Sequence, residues 1–377
     1  MSNPLESKEQ EALKKNYESF HEQTLLVTGG AGMIGSNLIK FLNEIGHKGK
    51  IYVADDLGED EKWLNLRDLS FADFIPKDQL FEKFPLLQPE ITFHLGACSA
   101  TTMKDGDFLI KNNYQYSQKL YQAYRELKSF QNQNDPYAWN GPRFVYASSA
   151  ATYGLGEQGF SDNDFNSCRP LNLYGYSKHL FDLYLGQMGA FENSFCVGIK
   201  YFNIYGPREF HKGDMRSVVL KAVESIQNTG KIQLFQSHHV DFGNGEQKRD
   251  FLYVKDAVFL TYLLAISPMR LGGVFNVGSG KAETFNSLAF AVFQALGRRP
   301  NIEYIPMPVH LGSKYQNFTQ AEMQKTLHLI NRHSLNPLVK NLEAYPKYSL
   351  EEGVKDYIQK HLVQPVAEQG QFAAYLH

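Results

Sequence analysis

The chain has 377 residues, of which 43% are hydrophobic and 21% are charged, and its formal net charge is −2. These values are typical of a globular enzyme and argue against a general nucleic-acid binder or a protein held on a membrane by basic residues. The three cysteines are widely spaced, the N-terminus has no apolar signal segment, and no run of about 18 apolar residues occurs. We therefore expect a cytoplasmic protein without a disulfide framework or a membrane span.

The stretch from Thr24 to Asp55 carries the most specific pattern. An apolar, β-branched run is followed by Gly29, Gly32 and Gly35, then by apolar residues at helical spacing, and then by a second apolar run that ends in Asp55. This order of strand, glycine turn, helix, strand and acid predicts a dinucleotide-binding fingerprint. The glycines would allow a tight turn, a close approach to the pyrophosphate and close helix–strand packing. A glycine turn without a ligand is the alternative, and the flanking elements disfavour it.

The rest of the chain continues the alternation. Apolar runs at 91–97, 143–147 and 196–201 alternate with helical patterns such as 107–128. This predicts an α/β protein with a Rossmann-type, doubly wound parallel sheet. After residue 206 the elements shorten, which predicts a smaller α/β substrate-binding lobe.

Four segments are predicted on this basis. They are an N-terminal extension at 1–22, an NAD(P)-binding domain at 23–205, a mainly substrate-binding lobe at 206–350 with segments at about 250–295 returning to the first domain, and a C-terminal helix or tail at 351–377. In the extension, Leu13, Tyr17 and Phe20 could form one face of a helix, and disorder is the alternative. In the second lobe, 248–254 is predicted as a single strand.

A tyrosine and a lysine four residues apart suggest the chemistry. Tyr174 and Lys178 fall on one face of a predicted helix, and an ammonium near a phenol is expected to lower the pKa of the phenol. Such a tyrosine can exchange a proton with an alcohol while hydride moves between the same carbon and a nicotinamide. Ser149, just past a strand end, could bond the same oxygen. An ordinary amphipathic pair is the alternative.

The preference between the two nicotinamide dinucleotides stays open from these residues alone. Asp55 favours NAD through the ribose 2′-hydroxyl, whereas Lys62 could meet a 2′-phosphate or be a solvated lysine.

Two other tyrosines, Tyr153 and Tyr176, are weaker candidates for the acid, because neither has a lysine four residues later. No metal site is predicted, because the adjacent side chains of the tandem histidines at 238–239 diverge.

Several further motifs resemble one family. They are Asn112–Ser117 (Asn-Asn-Tyr-Gln-Tyr-Ser), Arg208–Gly213 (Arg-Glu-Phe-His-Lys-Gly), Lys248–Phe251 and Tyr315–Gln320. With the glycine turn and the Tyr–Lys pair, they make the chain resemble the extended short-chain dehydrogenases/reductases. Within that group it resembles the ADP-L-glycero-D-manno-heptose 6-epimerases from about residue 24 to beyond residue 320.

The resemblance implies an activity and a set of residues. It implies epimerisation at C6 of an ADP-heptose with bound NADP, NAD being possible, for the heptose supply of the lipopolysaccharide inner core, by a homo-oligomer. The implied catalytic residues are Tyr174, Lys178, Ser149 and Lys212, the last as a second acid/base. The expected cofactor residues are Gly29, Gly32, Met33, Ile34, Gly35, Asp55, Asp56, Lys62, Lys77, Leu95, Gly96, Ala97, Cys98, Ser99, Asn112, Tyr174, Lys178 and Ile204. The expected substrate residues are Ser149, Asn203, Lys212, Asp214, Lys221, Phe235, Arg249 and Tyr315.

Two of these positions depart from the family pattern. Asp214 stands where a small hydroxyl residue is common, and Lys221 where a histidine is common; the loop 237–247 is also longer than usual. Three rival functions remain. A 4,6-dehydratase is disfavoured because Ala150-Ala151-Thr152 replaces its usual Thr-Asp-Glu. A UDP-hexose 4-epimerase and a non-catalytic dinucleotide sensor remain open.

Overall fold

A computed structural model describes residues 11, 14–15, 17–59, 61–127, 141–267, 269–308, 315–332 and 345–363. Its strands are β1 Leu25–Thr28, β2 Ile51–Asp55, β3 Asp73–Pro76, β4 Ile91–His94, β5 Arg143–Ser149, β6 Phe195–Tyr201, β7 Asn203–Tyr205, β8 Ile232–Phe235, β9 Lys248–Arg249, β10 Phe251–Tyr253, β11 Gly272–Val277, β12 Glu283–Thr284 and β13 Ile302–Ile305.

The α-helices in this part of the chain are α1 Met33–Glu44, α2 Leu80–Leu87, α3 Gly106–Leu109, α4 Tyr116–Arg125, α5 Leu173–Gln187, α6 Ala190–Asn193, α7 Val218–Thr229, α8 Val254–Ala265, α9 Phe285–Ala295, α10 Gln324–Arg332 and α11 Leu350–Tyr357. A π-helical segment, Ile110–Gln115, joins α3 to α4, and a second one, Ile358–Leu362, extends α11. None of the helices described is long and apolar enough to cross a membrane.

The main sheet has seven strands within the described residues, in the order β11-β6-β5-β4-β1-β2-β3. Every neighbouring pair is parallel. The chain proceeds outward from β1 to β3 and then returns to place β4 on the other side of β1, so the strand order reverses between β1 and β4. The predicted doubly wound parallel sheet is confirmed. In such sheets, ligands bind outside the carboxyl ends of the strands at the point of reversal.

Two apolar clusters cover the two faces of the sheet. Leu25 and Val27 of β1 belong to one cluster and Leu26 to the other, as expected for side chains that alternate along a strand. All twelve residues of α8 are buried, and this helix packs against α1. In the N-terminal extension, 17–20 is helical and Phe20 is 1% exposed against Tyr262 of α8. Leu13 lies outside the described residues.

A smaller lobe lies beside the sheet. It contains the parallel pair β8–β13, the helix α7, which packs against β8, and the helix α9, which contacts both α7 and α11. Two elements that come late in the sequence belong to the main sheet layer: β11 pairs with β6, and α8 packs against β5 and β6. The exact bounds of the two lobes stay a prediction, and residues 364–377 of the proposed tail lie outside the description.

The predicted strand 248–254 is wrong as a single element. Lys248–Arg249 pairs antiparallel with Glu283–Thr284, whereas Phe251–Tyr253 pairs parallel with β7. The chain changes partner at Asp250, whose buried carboxylate accepts backbone hydrogen bonds from Ser279, Gly280 and Ala321. Val254, the last residue of the predicted strand, begins α8.

Side chains cover the outer edge of β11. Lys325 donates to the Val274 carbonyl at 2.7 Å, and the Thr326 hydroxyl donates to the Asn276 carbonyl at 2.8 Å. The Asn276 N–H donates to the Asp162 carboxylate at 2.7 Å. The backbone groups of β11 that face away from β6 are therefore partly satisfied by side chains.

Candidate active site

A cavity of about 760 Å³ opens at the carboxyl ends of the strands, near the reversal between β1 and β4. Its wall contains eighteen of the residues that were predicted from the sequence. These are Gly29, Gly32, Met33, Ile34, Gly35, Asp55, Lys62, Leu95, Gly96, Ala97, Cys98, Ser99, Ser149, Tyr174, Lys178, Asn203, Ile204 and Lys212. Asp56, Lys77 and Asn112 lie beside this wall, and Asp214, Lys221, Phe235, Arg249 and Tyr315 lie in or near the smaller lobe.

The glycine turn forms one end of the cavity. Gly29 has φ +67°, and a Cβ there would lie 2.5 Å from the Gly96 Cα. A Cβ on Gly35 would lie 2.3 Å from the Gly29 carbonyl oxygen, so this contact between helix and turn also requires glycine. α1 begins at Met33 after Gly32, which has no side chain to cap it. The first N–H groups of α1 are thus available to an anion, and the turn fits the pyrophosphate of a dinucleotide.

Two acids at the carboxyl end of β2 are paired with two lysines. The Asp55 carboxylate accepts the Ala31 N–H at 2.9 Å and the Lys62 ammonium at 2.6 Å. Lys77 pairs with the Asp56 carboxylate at 2.5 Å and donates to the Asn112 side chain at 3.3 Å. Asp55 therefore orients the glycine turn, and each acid is balanced by a lysine.

The tyrosine, the serine and the lysine meet where β5 and α5 approach each other. The Ser149 hydroxyl is hydrogen bonded to the Tyr174 phenol. Lys178 is 5% exposed, and its ammonium donates to the Ala147 carbonyl at 2.8 Å. β5 extends to Ser149, two residues further than predicted, so the strand itself positions this hydroxyl.

The ionisation of this group differs from the prediction. Burial raises the pKa of Tyr174, and the bond to Ser149 opposes that rise only in part. Burial lowers the pKa of Lys178 to about 8, against the opposing charges of Asp182 and Cys98. The prediction that Lys178 lowers the Tyr174 pKa is therefore wrong, because the ammonium bonds a backbone carbonyl and burial dominates at the phenol.

Lys212 reaches the cavity from the segment Phe210–Met215, which follows β7 in the chain. Its ammonium lies 3.8 Å from the Met33 sulfur at the start of α1. Burial lowers the pKa of Lys212, and the Glu209 carboxylate opposes this. A lysine with a lowered pKa at a cavity wall is suited to exchange protons with a ligand.

Three of the predicted substrate residues form a cluster in the smaller lobe. The Arg249 guanidinium lies 4.9 Å from the centre of the Tyr315 ring, and the Phe235 and Tyr315 rings are 6.3 Å apart. Arg249 is 7% exposed, and burial lowers its pKa. The cluster adjoins the cavity because Thr319, which lines the wall, donates its N–H to the carbonyl of Lys248.

The two unusual residues contact each other. The Lys221 ammonium donates to the backbone carbonyl of Asp214 at 2.6 Å. The Asp214 side chain is exposed, and neither residue belongs to the cavity wall. The tandem histidines lie in the loop after β8. Across the described residues, no group of three His, Cys, Asp or Glu side chains is placed to hold a metal ion.

Sequence reasoning missed two asparagines that connect the walls of the cavity. Asn113 bonds both backbone groups of Cys98 and the hydroxyl of Ser177 on α5. Asn65 donates to the carbonyls of Ala31 and Arg208, joining the glycine turn to the loop that carries Lys212. The motif Asn112–Ser117, which contains Asn113, was the available signal in the sequence, and the structure shows it to lie partly in a π-helical segment, as often happens at functional sites. Nothing in the sequence marks Asn65.

Comparison with known proteins places these features in context. The family model of the NAD dependent epimerase/dehydratase family matches residues 25–278. The ADP-L-glycero-D-manno-heptose-6-epimerase of Nitratidesulfovibrio vulgaris (strain DP4) is 44% identical over 346 residues, which cover 89% of this chain and 97% of that protein. The protein of the same name from Fusobacterium nucleatum is 38% identical, covering 90% and 98%. The crystal structure of Helicobacter pylori ADP-L-glycero-D-manno-heptose-6-epimerase superposes with a TM-score of 0.70 at 28% identity, covering 90% of this chain and 96% of that one.

Proposed function

The chain belongs to the NAD dependent epimerase/dehydratase family, and on that basis we propose that it inverts C6 of ADP-D-glycero-D-manno-heptose to give ADP-L-glycero-D-manno-heptose. It is an isomerase whose cofactor is a nicotinamide dinucleotide. The observation that carries the proposal is that Tyr174, bonded to Ser149, and Lys212 line the same cavity as the glycine turn. Among the possible nucleotide sugars we propose the ADP-heptose, because the similar proteins of Nitratidesulfovibrio vulgaris and Fusobacterium nucleatum are named heptose 6-epimerases.

The residues of the chain divide the proton chemistry between them. The bound dinucleotide supplies a hydride acceptor and donor for the C6 carbon. Ser149 and Tyr174 hold the C6 oxygen, and the phenol exchanges its proton. Inversion requires the carbonyl compound to reorient before hydride returns, and Lys212 exchanges the proton at the same oxygen in the second pose. Lys178 lines the same cavity, and its ammonium, which donates to the Ala147 carbonyl at 2.8 Å, fixes the backbone of β5 just before Ser149.

The nucleotide part of the substrate is assigned to the cluster in the smaller lobe. The planar guanidinium of Arg249 can bind a diphosphate through two parallel hydrogen bonds. The rings of Phe235 and Tyr315 offer apolar faces beside it. Asn203 lies in the cavity wall, where its side-chain oxygen accepts the Thr319 hydroxyl at 3.4 Å. We propose that Asp214 and Lys221 shape the edge of this subsite through their mutual contact.

We propose NADP as the preferred cofactor. Asp55 and Asp56 alone would repel a 2′-phosphate, but Lys62 and Lys77 balance them at 2.6 and 2.5 Å. Both lysines keep part of their side chains exposed, 20% and 33%, so they can move toward a phosphate. NAD is the competing ligand, and the dissociation constants of the two dinucleotides decide between them.

The substrate is tested by supplying pure ADP-D-glycero-D-manno-heptose, with UDP-galactose in a parallel reaction, and by following the configuration of the products by NMR. We expect inversion at C6 of the heptose and no change in UDP-galactose. Turnover of UDP-galactose alone would make the chain a UDP-hexose 4-epimerase. Dinucleotide binding with no turnover of either sugar would make it a non-catalytic sensor.

Three assignments follow from the resemblance and are proposed with it. The product supplies heptose to the lipopolysaccharide inner core, and the enzyme works in the cytoplasm, where the free thiols of Cys98, Cys168 and Cys196 stay reduced. A homo-oligomer stays a prediction, which light scattering of the purified protein can check.

A further inference from the structure

A buried carboxylate lies between the loop that carries Lys212 and the C-terminal helix. Glu209 is 0% exposed. One carboxylate oxygen accepts the Ser217 N–H at 2.5 Å, and the other accepts the Ser217 hydroxyl at 2.6 Å and the Tyr357 hydroxyl at 3.1 Å. Tyr357 is the last residue of α11 and is itself fully buried. These bonds compensate the cost of burying the carboxylate.

Glu209 also determines the shape of this loop. Glu209 and Ser217 flank the segment that contains Lys212, so the bonds between them close it at its base. The backbone N–H of Lys212 donates to the Glu209 carbonyl at 3.0 Å. Both the backbone and the side chain of Glu209 therefore stabilise the loop through hydrogen bonds. On the opposite side, Tyr357 of α11 donates a hydrogen bond to the same carboxylate.

We propose that Glu209, supported by Tyr357, is the positioning residue for Lys212, so that the C-terminal helix controls the placement of the second acid/base. This inference rests on the proposed function, because it assumes that Lys212 exchanges a proton at C6. It goes beyond that function by giving catalytic consequence to two residues that lie outside the cavity wall.

The charges around the loop favour an electrostatic contribution from Glu209. Glu209 raises the pKa of Lys212 against the effect of burial. From α1, the group that faces the ammonium is the uncharged sulfur of Met33. The nearby charges of Arg216 and Glu224 form an ion pair at 2.6 Å and largely compensate each other.

His211 and Asp214 are the titratable neighbours of Lys212 within Phe210–Met215, and the Asp214 side chain is exposed. The ring nitrogen of His211 lies 3.1 Å from the side-chain nitrogen of Asn65. From α11, the titratable group facing Glu209 is the Tyr357 phenol, and burial together with Glu209 raises the pKa of that phenol. Tyr357 therefore stays a neutral donor, and Glu209 is the anion that acts on Lys212.

The test is a double-mutant cycle on kcat with the loaded holoenzyme and the heptose substrate. Glu209→Gln should lower kcat about tenfold or more, because a reacting group misplaced by about 1 Å can cost about 100-fold. In a Lys212→Met background, the same change should alter kcat less than about twofold, since no acid/base remains to be positioned. Equal losses in both backgrounds would overturn the proposal.

The pH profile separates positioning from a merely structural role. Removal of the Glu209 charge should move the limb of the kcat profile that belongs to Lys212 to lower pH, because the anion that favours the ammonium is gone. A lower kcat with an unmoved limb would contradict the electrostatic contribution. If Lys212→Met alone leaves kcat unchanged while the heptose is still inverted, the positioning proposal fails but the epimerase function stands.

Two tyrosine variants provide a test that keeps the carboxylate. Tyr357→Phe removes one hydroxyl from Glu209 and should lower kcat about two- to fivefold, again only when Lys212 is present. Tyr253→Phe is the matched control, because its buried hydroxyl bonds the Asp356 carboxylate of the same helix at 2.8 Å and does not touch Glu209. It should destabilise the protein without changing kcat or its pH profile. Equal kcat losses in the two variants would show that α11 acts only through stability.

Discussion

The most severe loss of stability is expected from a single buried carboxylate beneath the active site. Asp182 on α5 and Lys200 on β6 are both 0% exposed, with 3.1 Å between the ammonium and the carboxylate. Asp182 also accepts the hydroxyls of Tyr146 and Ser148 at 2.8 Å each. Asp182→Asn would leave the Lys200 ammonium buried without this counter-charge. Breaking a buried pair in this way costs about 3–5 kcal/mol in the free energy of unfolding.

The assay is urea unfolding of the cofactor-free protein, followed by far-ultraviolet circular dichroism. Asp73→Asn is the control, because Asp73 pairs with Lys83 at 3.7 Å between side chains that are 54% and 41% exposed. Exposed pairs contribute below about 1 kcal/mol, so the control should unfold near the midpoint of the unmodified protein. A loss below about 1 kcal/mol for Asp182→Asn would refute the reasoning.

A double variant tests whether the uncompensated charge is the cause. Lys200→Met in the Asp182→Asn background removes the stranded ammonium and should recover about 1–2 kcal/mol. If the double variant is instead less stable than Asp182→Asn, the loss comes from packing or from the Tyr146 and Ser148 hydrogen bonds. The broken ion pair would then not be the main cause of the instability.

Four further predictions concern the site and the acid sensitivity of the fold. Tyr174→Phe should lower kcat about 100-fold or more while the dissociation constant of the dinucleotide, measured by fluorescence titration, changes little; normal turnover would remove the phenol from the mechanism. Lys62→Ala should weaken NADP at least about tenfold and NAD far less, and tighter binding of NAD by the unmodified protein would reverse the cofactor assignment. Lys212→Met should lower kcat about 100-fold. A near-normal kcat with a salt-sensitive KM would show that Lys212 only attracts the phosphate groups of the substrate and does not exchange a proton. Burial lowers the pKa of His94 to about 3, so the unfolded chain binds its proton first and the stability contributed by this residue falls as the pH drops below about 6.5, by about 2–3 kcal/mol near pH 4.5. His94→Asn should remove this part of the pH dependence of the urea midpoints and leave the part due to His47 and His361, whose pKa values burial also lowers.

Local patterns were sufficient for the parts of the fold whose signals are contained in neighbouring residues. The turn from Gly29 to Gly35 and the β1–α1 unit were predicted because glycine conformation and helical spacing are properties of the segment itself. β3 and α2 were not predicted. β3 has one buried residue in four, and α2 contains Pro85, so both lack the periodic pattern that marks a strand or a helix.

Long-range bonds explain the remaining differences. Asp250 breaks the predicted strand 248–254 because it binds residues 279, 280 and 321, and no local pattern reports such partners. The raised pKa of Tyr174 has the same origin. Its helical spacing to Lys178 predicted a charge interaction, but burial by distant segments decides the direction of the shift.

The edge of β11 has a consequence for behaviour at high concentration. A strand at the margin of a sheet presents unpaired N–H and C=O groups, which can template pairing with the margin of another molecule. Asp162, Lys325 and Thr326 occupy such groups on β11, so a second molecule would have to displace three side-chain hydrogen bonds before it could add a strand there. The opposite margin, β3, is protected differently: it is four residues long, begins at the exposed Asp73 and ends at Pro76, which has no N–H to donate. The two margins thus resist edge-to-edge aggregation by different means, and only the protection of β11 depends on residues about 50 positions further along the chain.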